Sequence, residues 1–68
     1  GSCVVPANPA NGFYTIYKAP SEKYPPGTYV PPFNGLILHC HRGHKSSSPG
    51  NSLSVCFNGR WNPNPPTC

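Results

Sequence analysis

The apolar residues of this chain fall into short runs separated by turn residues. No window of eleven or more residues carries a 3.6-residue apolar period. Residues 13–17, Phe-Tyr-Thr-Ile-Tyr, combine aromatic and β-branched side chains without a breaker and predict a strand. Leu36-Ile37-Leu38-His39-Cys40 predicts a second. Leu53-Ser54-Val55-Cys56-Phe57, with apolar and polar residues alternating at Leu53, Ser54 and Val55, predicts a third. Between them the chain is punctuated. Residues 3–12 hold Pro6 and Pro9, which bias the residues before them to extended backbone, and end in the turn signal Asn11-Gly12. Residues 18–35 hold Pro20, Pro25, Pro26, Pro31 and Pro32 and read as a long loop with a short extended piece at Thr28-Tyr29-Val30. Residues 41–51 are polar and loop-like. Asn58-Gly59 is a hairpin-type turn, followed by Arg60-Trp61 and a Pro-rich close. The expectation is an all-β domain of short antiparallel strands, with no helix longer than a turn.

Composition sharpens this picture. Sixty-eight residues make one domain at most. Eleven Pro and seven Gly would suit a disordered segment, but one Trp, four Tyr and three Phe with few charges argue for a folded one. A core this small needs covalent support. The cysteines, at positions 3, 40, 56 and 68, are even in number and lack the C-x-x-C spacing of zinc or thioredoxin-like sites, so disulfides are expected. Spacing alone leaves three connectivities open. Disulfides imply an oxidising, secreted setting. The chain shows no leader sequence and reads as a mature or excised segment, with Gly1-Ser2 a cloning remnant. No apolar run approaches the roughly 18 residues of a membrane span.

Charge excludes whole classes of chemistry. Glu22 is the only acidic residue, and there is no Asp. Paired-carboxylate mechanisms, an Asp-oriented triad, and calcium or magnesium sites built from clustered carboxylates are all excluded. Neither catalysis nor a cofactor is expected.

The last third of the chain, Cys56-Phe57-Asn58-Gly59-Arg60-Trp61 and then Pro65-Pro66-Thr67-Cys68, resembles the closing signature of complement control protein modules, also called sushi domains or short consensus repeats. In that family an N-G-x-W-like turn follows the third cysteine and a proline precedes the fourth. Cys3, Pro6, Pro9 and Asn11-Gly12 are similar to its opening. Leu36-x-Leu38-x-Cys40 is similar to the strand that ends at its second cysteine. The resemblance covers residues 3–68. It implies pairing of Cys3 with Cys56 and of Cys40 with Cys68, an elongated module with its termini at opposite poles, and Trp61 as the main core residue between the bridges. It also implies a non-catalytic extracellular module that binds a protein partner or acts as a spacer in a larger protein. Three departures stand out. His44 replaces an aromatic residue after Gly43. Lys45–Pro49 lacks the usual apolar residue, which predicts a loose edge. The interval from Cys3 to Cys40 is long, and its extra length falls in the Pro-rich excursion. In that respect the chain looks like sushi-like modules of invertebrate serine proteases that start immune cascades.

Three groups of residues invite a functional reading. His39, His41 and His44 flank Cys40, and His39 and His41 share a strand face. They could hold zinc or copper, but no carboxylate or thiol completes a shell, so no metal site is expected. The net charge of +4 comes from Lys18, Lys23, Arg42, Lys45 and Arg60, dispersed in a way unlike a nucleic-acid binder. Arg42 and Lys45 cluster with His41 and His44, while Lys18 and Lys23 flank the Pro-rich loop. An acidic glycan or acidic protein surface is one reading of them, and solubility is the other. Tyr24, Tyr29 and Phe33 lie among prolines that would stiffen an interface loop. They serve either a partner or the module's own core. A different class of function, a free cationic peptide acting on microbial surfaces, lacks the basic amphipathic helix expected of it, and no membrane insertion is expected.

Overall fold

A computed structural model describes residues 1–68, the side chain of Ser21 excepted. The strands are β1 (Cys3–Val4), β2 (Gly12–Ile16), β3 (Tyr29–Val30), β4 (Gly35–Cys40), β5 (Leu53–Phe57) and β6 (Arg60–Asn62), with one turn of 3-10 helix at Ser21–Lys23. β2, β4, β5 and β6 form a four-stranded sheet in that order, and β1 pairs with β3 in a separate ribbon. Every pairing is antiparallel. The fold is therefore all-β, and its extents are 34 × 23 × 19 Å.

The three predicted strands are present, and two begin one residue earlier than their composition suggests. Gly12 opens β2, and Gly35 opens β4. At Gly12 the reason is close approach. A Cβ there would collide with the Sγ of Cys68 and the carbonyl oxygen of His39, so only glycine lets β2 lie this close to the end of the chain. Two strands were not read from their own composition, although β6 follows the hairpin turn Asn58-Gly59. β1 has two residues and β6 has three. Both are strands because of what they pair with: Cys3 lies opposite Val30, and Trp61 opposite Cys56.

Disulfides join Cys3 to Cys56 and Cys40 to Cys68. The N–H of Phe33 donates to the carbonyl of Cys56, and the N–H of Cys56 donates to the carbonyl of Asn34. The first bridge is thus fixed beside the start of β4. The second is formed by Cys40 at the end of β4, about 20 Å along a six-residue strand. The buried cluster gathers around the first bridge: Cys3, Val5, Ile16, Val30, Leu36, Cys56 and Trp61. Trp61 sits across from Cys56, and its indole N–H donates to the carbonyl of Val4 at 2.7 Å. The second bridge is half-buried and lies outside this cluster. Near it the phenol of Tyr14 donates to the carbonyl of Pro66 at 2.8 Å, and burial pushes that phenol above its ordinary pKa.

β5 alternates, but with a revealing phase. Ser54 and Cys56 point into the module, while Leu53, Val55 and Phe57 point out. Cys56 must face inward to reach Cys3. With a side-chain period of two, that choice turns Ser54 inward and the three large apolar residues outward. The hydroxyl of fully buried Ser54 has no hydrogen-bond partner among the described residues.

Two substitutions test this packing. Trp61→Ala removes the largest buried ring and should lower the unfolding free energy by roughly 3–5 kcal/mol in denaturant titration. Equal midpoints for the two proteins would contradict the assignment of Trp61 to the core. Ser54→Ala removes an unpaired buried hydroxyl and should raise stability by about 1 kcal/mol. A loss of stability would mean that the hydroxyl is bonded.

Candidate interaction surface

The Pro-rich excursion is tied down along its length. The N–H of Val5 donates to the carbonyl of Thr28, and the N–H of Gly27 donates to the carbonyl of Val5, both at 2.8 Å. Val30 is fully buried, and Tyr24 and Ala19 pack against the core cluster. The three rings of this segment therefore divide. Tyr24 belongs to the core, whereas Tyr29 and Phe33 are 68% and 74% exposed. Phe33 is held at φ +70°, a left-handed conformation that is rare for a bulky residue. Its own hydrogen bond to Cys56 fixes it there. So does Asn34, whose side-chain N–H donates to the carbonyl of Pro31 at 2.9 Å. An exposed aromatic ring on backbone this constrained loses little entropy when it is covered.

The basic residues do not converge. The ammonium groups of Lys18 and Lys23 lie over the rings of Tyr17 and Tyr24, 5.4 and 5.7 Å from their centroids. Arg42 and Lys45 are exposed in the loop that follows β4, along with His41 and His44. That loop is exposed from His41 to Lys45 and anchored further on. Ser47 donates its N–H to the carbonyl of Thr67, and its hydroxyl accepts from the N–H of Thr67. Two of the histidines share one aromatic neighbour. His39 stacks on Phe13, 4.9 Å between ring centroids, and its Nε2 is 2.7 Å from the hydroxyl of Thr15. His41 is 6.3 Å from the same ring. Among the described residues no group of three or more His, Cys, Asp or Glu could hold a metal ion. No helix among the described residues is long and apolar enough to cross a membrane.

A further surface comes from the outward face of the four-stranded sheet. Gly35, Val55 and Asn62 form one cross-strand row, and Phe57 faces Arg60 in the next. Leu53 lies across from Ile37. Tyr17 continues β2 through its N–H, which donates to the carbonyl of Gly35. A Cβ on Gly35 would sit 2.9 Å from Leu53 and 3.2 Å from Tyr17, so these two side chains close over the glycine from either side. Phe33 joins them through Phe57, with 6.2 Å between ring centroids. Leu53, Val55, Phe57 and Tyr17 were absent from the sequence-based candidates. For the three residues of β5 the signal is indirect: the direction of Cys56 had to be known before the period of the strand could place them outside.

A family model described as Sushi repeat (SCR repeat) matches residues 3–68. Comparison with curated proteins and with solved structures gave no match. Sushi repeats are non-catalytic modules that mediate protein–protein interactions and are typical of extracellular or secreted proteins.

The division of the rings predicts a difference between two variants. Tyr24→Ala should lower the melting temperature by several degrees, because it strips the core cluster of a packed ring. Tyr29→Ala should leave it within about 1 °C, since that ring touches mainly solvent. Equal losses for the two would contradict the assignment.

Proposed function

The chain belongs to the Sushi repeat family, and from that premise we propose that it is a partner-binding module of a larger multidomain extracellular protein, acting in a proteolytic cascade of innate immunity. The observation that carries this reading is the outward display of rings and apolar side chains on a rigid, disulfide-held frame. Tyr29, Phe33 and Phe57 are all more than half exposed. In a small domain such groups are usually drawn into the core, and their exposure suits recognition. Recognition here is by a preformed surface, so binding would need little rearrangement. The parent, on this reading, is a modular serine protease whose non-catalytic modules recruit it to an activating complex. The Pro-rich excursion, longer than is usual in the family, supports that assignment.

A second reading takes the chain as a free cationic peptide that binds acidic glycans on microbial surfaces. The exposed, sequence-adjacent residues His41, Arg42, His44 and Lys45 support it, and so does the net charge of +4. Immunoblotting and mass spectrometry of the natural source separate the two. The module reading expects this sequence within a chain of several hundred residues carrying further modules. A free species near 7.3 kDa, the mass of the chain alone, would overturn it.

A further inference from the structure

The outward face of β5 carries an inference about what is recognised, and it rests on the reading of the chain as a binding module. Leu53, Val55 and Phe57 stand side by side along the strand and are 44%, 36% and 51% exposed. Tyr17 and Phe33, both more than half exposed, extend this row on the β4 side, so the apolar surface is continuous across three structural segments. Its edges are cationic. On the β2 side the ammonium of Lys18 lies over the Tyr17 ring. On the β6 side Arg60 pairs with Phe57 across the strands and is exposed. The chain has one acidic residue in all, Glu22, and it lies in the 3-10 turn.

We propose that the outer sheet face formed by Leu53, Val55, Phe57, Phe33 and Tyr17 is a docking surface for a protein segment that is apolar at its centre and acidic at its rim. The apolar residues supply the area that is removed from water. Lys18 and Arg60, on opposite edges, fix orientation and favour partners carrying Asp or Glu at the matching positions. A second copy of this chain does not meet that requirement. Face-to-face pairing would bring cationic rims together with a single acidic side chain per chain to offset them. Phe33 gives the surface a preset element, because its left-handed backbone and two flanking hydrogen bonds fix the chain from which the ring projects before any partner arrives. The direction of the face is a consequence of the Cys3–Cys56 bridge, so it is as fixed as the fold itself.

The test is selection from a display library of random 12-residue peptides against the folded 68-residue chain. Counter-selection uses the variant Leu53→Thr/Val55→Thr/Phe57→Thr, whose exposed Thr residues keep β propensity. Its fold is checked by its amide spectrum and melting temperature. The proposal expects selected peptides with apolar centres flanked by Asp or Glu. They should lose at least tenfold in affinity on the triple variant and weaken further with added salt. Peptide titration should shift the amide resonances of residues 53–57 and of Phe33. Should the triple variant unfold, Lys18→Glu/Arg60→Glu takes its place. It should bind these peptides at least tenfold more weakly, and regain affinity for versions with Lys in place of Asp and Glu. Three results would overturn the proposal. Selected peptides that shift Tyr29 and Lys45 instead would sink this face but leave the binding-module reading standing. Shifts on this face that grow with protein concentration alone would assign it to self-association. Failure to select any peptide on any surface would count against both the face and the binding-module reading.

Discussion

The bond between Cys3 and Cys56 is the constraint on which the rest depends. It joins residues 53 apart in sequence and, on the chain-entropy account, removes about 4 kcal/mol of freedom from the unfolded chain. Its larger effect is directional. Cys56 has to face inward, and a strand has only two faces. Trp61, paired with Cys56, is therefore turned inward as well, where its indole bonds to Val4 beside Cys3. Ser54 is carried into the core although its hydroxyl finds no partner there. Leu53, Val55 and Phe57 are carried out. One covalent bond thus sets both the content of the core and the chemistry of the opposite surface.

How much of this was legible follows from where each signal resides. Strands β2, β4 and β5 have composition of their own and could be read within a residue or so of their ends. β1 and β3 are held by pairing with each other across some 25 residues, whereas β6 returns on β5 through the hairpin turn Asn58-Gly59 that the sequence signals. The extended piece expected at Thr28-Tyr29-Val30 is present as β3, but its partner, Cys3-Val4, could not be read locally. The Pro-rich excursion was readable as irregular, and its rings as serving either a partner or the core; which ring does which depends on long-range contacts that place Tyr24 against the core and leave Tyr29 and Phe33 exposed. The same limit explains the surface. The basic and aromatic residues of loops are conspicuous in a sequence, as Lys18, Lys23, Tyr24, Tyr29, Phe33, Arg42 and Lys45 are here. The apolar residues of β5 looked like ordinary strand residues until Cys56 was oriented.

Function in this molecule is therefore a matter of what the frame leaves exposed. The absence of Asp and the single Glu exclude paired-carboxylate chemistry, and Sushi repeats are non-catalytic modules. What remains is a stiff module with two bridges, one buried beside Trp61 and one half-exposed near the end of the chain. The Pro-rich excursion packs Val30 and Tyr24 against the core and contributes Phe33 to the sheet face. The departures from the family pattern thus fall in two places. The loop after β4 is polar and exposed, while the excursion supplies both core and surface.

The central claim is that the inward direction of Cys56 forces the apolar residues of β5 into solvent. Solvent paramagnetic relaxation measures this directly, with a neutral soluble gadolinium chelate and methyl and aromatic detection. The account predicts strong relaxation at the methyls of Leu53 and Val55 and at the Phe57 ring, with protection at Ile16, Val30 and Leu36. Protection of Leu53, Val55 and Phe57 equal to that of the core residues would contradict it.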